Sequence, residues 1–109
     1  MALQKLQALD SEAFQSRIIE RRESALVFFA SDWSAPCREM ETAVLQAADH
    51  FYGTVPFYQV DPDNEPLIAA KHEVVAIPTL IFFARGEERE RIVGVRKCKD
   101  LEEEIQRLL

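Results

Sequence analysis

The chain has 109 residues, 48% of them apolar and 29% charged, and a formal net charge of -6. That length suits one domain spanning residues 1–109, and the apolar share is enough for a packed core, which excludes a disordered chain. An acidic chain with scattered basic residues matches a phosphate backbone poorly, so no nucleic-acid partner is expected.

No apolar run approaches the roughly 20 residues that span a bilayer, so no membrane partner is expected either. Met1 to Asp10 lacks the basic and apolar blocks of a secretory signal. The two cysteines, Cys37 and Cys98, form no CxxC pair, which argues against a disulfide framework and against a zinc site. A reducing cytoplasm is the expected location. No internal repeat is visible.

Residues 2–9 offer a short edge strand. Asp10-Ser11-Glu12-Ala13 reads as a helix start, with Phe14 and Ile18 as the buried stripe of a helix ending near Arg22. Ser24–Ala30 is a short apolar run of the kind buried on both faces of a sheet. Residues 31–37 read as a turn region containing Pro36, and a helical pattern runs from Ala35 to about His50, with Met40, Val44 and Ala47 on one face. Val55–Val60 reads as a strand. Asp61-Pro62-Asp63-Asn64 is a turn able to cap a short helix over Glu65–His72.

Thr79–Ala84 is a third strong strand. Arg85-Gly86 turns the chain into a hairpin whose second strand is Glu88–Val93, with a charged first half fit for a solvated edge. Asp100 and Glu103 form a capping-box-like start for a C-terminal helix lined by Leu101, Ile105 and Leu108. Strands separated by helices call for parallel crossovers, and the hairpin adds an antiparallel edge. The fold class is therefore α/β, a central mixed sheet with helices on both faces.

Two features carry the chemistry. Trp33-Ser34-Ala35-Pro36-Cys37 lies between a buried strand and a helix, and Ile77-Pro78-Thr79 leads into the next buried strand. Together, and with Asp63, Lys71, Gly86 and Gly94 in register, they resemble the thioredoxin family along nearly the whole chain. That family's site reads Trp-Cys-Gly-Pro-Cys, opposite a loop with a cis proline. The resemblance implies a thioredoxin fold with a degenerate dithiol site at Ser34 and Cys37.

Thiol–disulfide exchange begins with thiolate attack on a disulfide, and a helix N-terminus favours that thiolate. Ser34 occupies the attacking position, and a hydroxyl is not ionised at neutral pH. Ser34 is equally a good N-cap: its oxygen can accept the Cys37 amide, since Pro36 has no N–H. The resemblance also places Phe28 and Gln59 where dithiol relatives carry a buried aspartate and a lysine that serve proton transfer. Thr42 stands where such relatives place a kinking proline, so a straighter helix is implied.

The Ser-x-x-Cys pattern is similar to the thioredoxin-like domain of bacterial chaperedoxins, which implies holdase or chaperonin-partner activity. Two functions follow as expectations. The first is a redox-inactive or monothiol protein that binds polypeptides in a chaperone or assembly role. Its groove is formed by Trp33, Ala35, Pro36, Ala76, Ile77, Pro78, Gly94 and Val95. The second is a thiol–disulfide oxidoreductase whose first cysteine has been changed to serine.

Cys37 reads either as a buried small hydrophobe or as a thiol open to glutathione-type exchange. Cys98, among Arg96, Lys97 and Lys99, reads as an incidental surface cysteine; its cations would favour thiolate and a weak disulfide dimer in place of a monomer. Trp33 is either a groove anchor or packed on Asp32 and Pro36. His50 and His72 are expected to be polar helix ends and Glu102–Glu104 a solvated face, with no metal and no cofactor.

Overall fold

The computed structural model describes residues 6–109. Five strands form one sheet in the order β1-β3-β2-β4-β5, where β1 is Gln7–Ala8, β2 Ala25–Phe29, β3 Phe57–Val60, β4 Thr79–Ala84 and β5 Glu87–Val93. The helices are α1 Ser11–Phe14, continued by a π-helical segment Gln15–Glu20, then α2 Ala35–His50, α3 Pro66–Lys71 and α4 Cys98–Leu108. The α/β class with a mixed sheet is as the sequence predicts. Residues 2–5 of the expected edge strand lie outside the described residues, and Gln7–Ala8 pairs in parallel with Tyr58 and Gln59.

Every residue of β2 is buried. Alternation then divides the core. Leu26 and Phe28 join Met40, Val44, Leu80, Leu101 and Ile105 on the face covered by α2 and α4. Ala25, Val27 and Phe29 join Phe14, Ile18, Ile68, Ile81 and Phe83 on the other. A strand apolar at every position is needed because both faces are covered by helices.

The second crossover departs from expectation. β2 and β3 are parallel, joined through α2, but β4 lies antiparallel to β2 on its far side. The strand–helix–strand rule governs strands that are neighbours in the same direction. Here α3 is short, and the long approach through residues 72–78 reverses the chain before β4 begins.

Three local signals also resolve differently. The first helix widens after Phe14 to π-type bonding, with Arg21 N–H donating to Ser16 O, a five-residue step that apolar spacing does not reveal. Glu65, the N-cap of α3, makes no capping bond; its Oε1 instead accepts Ser11 N–H and Oγ–H from the first helix. α4 begins at Cys98 and not at Asp100, because Leu101 N–H already donates to Lys97 O one turn earlier.

The hairpin is as expected, except that β5 begins at Glu87, one residue early. Arg85 and Gly86 have φ of 58° and 79°, the left-handed pair of a two-residue hairpin turn. A Cβ on Gly86 would also stand 3.2 Å from Ile19 O, so glycine suits the position twice.

His72 is not a solvated helix end. Its ring lies 5.2 Å from those of both Phe14 and Phe83, and its Nε2 is buried without a partner. Burial lowers its pKa, Lys71 and Arg91 push the same way, and Glu88 opposes them. Beside it, Arg91 donates to the carbonyls of His72 and Glu73 at 2.6 and 3.2 Å and grips both Glu88 oxygens at 2.6 Å. That bond holds the Glu88 carboxyl below its usual range.

Below pH of about 6.5 the unfolded chain takes up the His72 proton before the folded chain does, so stability falls with pH; above that value the contribution is complete. A second loss follows when the unfolded Glu88 titrates near pH 4.3. The urea midpoint should therefore be flat between about pH 7 and 8, below the range where the cysteines of the unfolded chain ionise, decline from about 6.5 toward 5, and lose that first decline in His72→Gln. An unchanged profile in the variant would contradict this origin.

Candidate functional site

The sheet register brings the chemistry to one end. Phe29 pairs with Val60 and with Thr79, and Thr79 pairs with Val93. The segments just beyond these residues therefore meet at one edge: the turn to α2, the loop after β3, the approach to β4 and the exit from β5. Gly94 N–H donates to Pro78 O at 2.9 Å, which ties the 76–79 segment to the exit from β5, and Thr79 Oγ donates to Ala76 O at 2.7 Å, which closes the segment on itself. The Ile77–Pro78 peptide is cis.

Ser34 is the N-cap of α2, with extended backbone and a buried side chain. Its Oγ accepts Cys37 N–H at 3.3 Å. Pro36 in the first turn has no N–H, so Cys37 presents the amide that needs an acceptor. Cys37 is 3% exposed, inside the first turn of α2. The helix then runs without interruption through Thr42 to His50.

The proton-transfer positions are adjacent across the sheet. Phe28 is the register partner of Gln59, and Phe28 is buried in the α2 face of the core. A cavity of about 150 Å³ touches Phe28, Gln59, Asp32, Glu41 and Val44. Phe28 and Gln59 offer it neither the buried carboxylate nor the ammonium of a proton relay.

Around this end several exposed side chains are apolar, beside the exposed acids Asp32 and Asp63. Trp33 is 69% exposed, Val75 95% and Val93 47%, with Val95 beside them in sequence at 37%. Ala35, Pro36 and Ala76 are exposed, Ile77 and Gly94 half-buried, and Pro78 buried. Among the described residues, no hydrogen bond engages the N–H or C=O of Ile77. Trp33 does more than pack on its neighbours: its indole N–H donates to Asp63 Oδ2. The sequence reading missed Val75 and Val93 as rim residues and Asp63 as the indole acceptor. Val75 in the loop before Pro78 and Val93 at the end of the last strand were the apolar signals; nothing local links Trp33 to a residue thirty positions on.

Other candidates take structural roles. Cys98 Sγ donates to Glu102 Oε2 at 3.2 Å, and burial together with that carboxylate raises its pKa. The expected thiolate-favouring effect of nearby Arg96, Lys97 and Lys99 is thus not seen: burial, and then the acid one helical turn away, push the thiol the other way. Glu102 and Glu104 are not simply solvated: Glu102 also faces His50, and Glu104 accepts Arg96 Nε–H at 3.1 Å. No group of three or more metal-ligating side chains occurs among the described residues. No helix among them is long and apolar enough to cross a membrane.

A helix N-terminus carrying Ser-x-x-Cys, opposite a cis-proline segment on a five-stranded mixed sheet, defines a thioredoxin-type site. The thioredoxin family pattern matches residues 5–107, and the chain belongs to the thioredoxin family. It is 35% identical over 100 residues to thioredoxin M4, chloroplastic, of Arabidopsis thaliana, covering 92% of this chain and 51% of that protein. It is 37% identical over 93 residues to thioredoxin H2 of the same plant, covering 85% and 68%. A thioredoxin of Staphylococcus saprophyticus is 36% identical over 84 residues, covering 77% and 81%. The chain thus spans about half the length of its chloroplastic M4 relative.

Ser34→Ala should lower stability by about 1 kcal/mol, because the Cys37 amide loses its acceptor in a buried turn. Urea denaturation checks this, and an unchanged midpoint would show that the cap contributes nothing.

Proposed function

We propose that this thioredoxin-family chain binds extended polypeptides in a chaperone or assembly role, and runs no dithiol cycle as it stands. The observation that carries the reading is the pairing of an unengaged Ile77 backbone with an exposed apolar rim, at a site whose attacking position holds oxygen. An extended chain laid along residues 76–78 can pair with that free backbone as an added strand. Its apolar side chains would meet Trp33, Val75, Val93 and Val95, with Ala35, Pro36, Ala76, Gly94 and Pro78 forming the floor and sides. Exposed aromatic anchors favour such recognition.

Chemistry at the helix N-terminus is limited to Cys37. A thiol must be ionised and reachable to attack a disulfide, and Cys37 is covered by the first turn that Ser34 caps. Glutathione-type exchange at Cys37 would need that turn to open. The reading calls for no cofactor and no metal. It places the chain in the cytoplasm, where both free thiols persist reduced, and treats it as a monomer, since the Cys98 thiol is held by Glu102.

The rival reading is an oxidoreductase whose first cysteine was replaced by serine. Its support is that the relatives are named thioredoxins. Phe28 and Gln59 favour natural loss, since replacing one cysteine would leave a proton relay in place.

Insulin reduction separates the two. The parent chain should show no turnover. Ser34→Cys should remain at least about 100-fold below a Trp-Cys-Gly-Pro-Cys thioredoxin, the usual scale of a missing general base. Turnover by Ser34→Cys at the full thioredoxin rate would favour the replaced-cysteine reading. Catalytic turnover by the parent would overthrow the proposal.

A further inference from the structure

Three buried side chains among the described residues are polar: Ser31, Ser34 and Thr79. Ser34 caps α2 and Thr79 bonds Ala76. Ser31 does neither. A buried hydroxyl without a partner costs roughly 1–3 kcal/mol, so its partner reveals its role.

That partner lies on another loop. Ser31 Oγ donates to Asp61 Oδ1 at 2.7 Å. The same Asp61 oxygen accepts Asp63 N–H at 2.9 Å, and the Asp61 carbonyl accepts Asn64 and Glu65 N–H at 3.0 and 2.9 Å. The 61–65 turn is therefore wound around Asp61, and its winding sets where the Asp63 side chain points. Asp63 Oδ2 in turn holds the Trp33 indole N–H. Ser31 also fixes the near side: its carbonyl accepts Ser34 N–H at 3.1 Å. The bonds close a ring from Ser31 through Asp61 and Asp63 to Trp33, two residues from the start.

We propose that Ser31 is a positioning residue for Trp33, acting through Asp61 and Asp63 to hold the groove's largest exposed anchor in one orientation. Trp33 is 69% exposed, so packing alone does not fix it. An indole held before binding loses less rotamer freedom when a partner arrives, which strengthens binding without any new contact. Its effect on affinity rests on the polypeptide-binding reading above; its effect on the indole does not.

Trp33 is the chain's one tryptophan, so fluorescence reports it alone. Time-resolved anisotropy should show a larger fast component in Ser31→Ala and in Asp63→Ala than in the parent. Ser31→Thr, which keeps a hydroxyl, should restore much of the parent decay. Affinity for alkylated, dye-labelled insulin B chain should fall about 2- to 10-fold in both alanine variants, the scale of one freed side chain.

A parent-like decay in Ser31→Ala, with the indole freed in Asp63→Ala, would overturn the inference. So would a parent-like decay in Asp63→Ala, an exposed position that tests the ring even if Ser31→Ala fails to fold. An indole freed without change in affinity would overturn the link from Ser31 to binding. No binding by the parent would count against the polypeptide-binding reading, while the anisotropy still decides the role of Ser31.

Discussion

The contact between Ser34 Oγ and the Cys37 amide governs how this site can behave. A helix N-terminus exposes amides that seek negative charge or an acceptor. In a dithiol site that field would favour a thiolate. Here a neutral hydroxyl oxygen accepts the third amide of α2, beyond a proline that has none to offer. The same bond keeps the first turn closed over Cys37, the sole sulfur of the motif. One interaction therefore stabilises the helix start and, on the proposed reading, sits where a dithiol site would carry its attacking sulfur.

The rest of the site survives because it depends on the sheet and not on sulfur. The register of Phe29 with Val60 and Thr79, and of Thr79 with Val93, brings four chain segments to one edge. Polar contacts then tie these segments down: Ser31 to Asp61, Gly94 to Pro78 and Thr79 to Ala76, with Arg91 holding the carbonyls of His72 and Glu73. What these contacts leave unengaged is the Ile77 backbone and a fringe of exposed apolar side chains.

Much of this was legible in the sequence because the signals are local. Ala35–His50 is observed as the apolar spacing predicts, and the Ser34 cap follows from serine two residues ahead of Pro36. Thr79–Ala84 needs no more than its run of apolar residues. The failures occur where a distant group wins. The start of α4 moved because a backbone bond to Lys97 formed before Asp100 could cap. Burial of the Cys98 thiol, with the Glu102 carboxylate one turn on, raises its pKa where the neighbouring cations suggested the opposite. The direction of β4, the Trp33–Asp63 bond and the aromatic slot of His72 join residues far apart in sequence, and periodicity carries no trace of them.

The central claim, a groove that grips an extended chain at the Ile77 edge, is tested most directly by amide chemical-shift mapping with a cysteine-free unfolded polypeptide. The account predicts shifts concentrated at the Trp33 indole, Ala76, Ile77, Gly94 and Val95, with α4 and the β1 edge unmoved. Shifts centred on another face, or none at millimolar polypeptide, would contradict it.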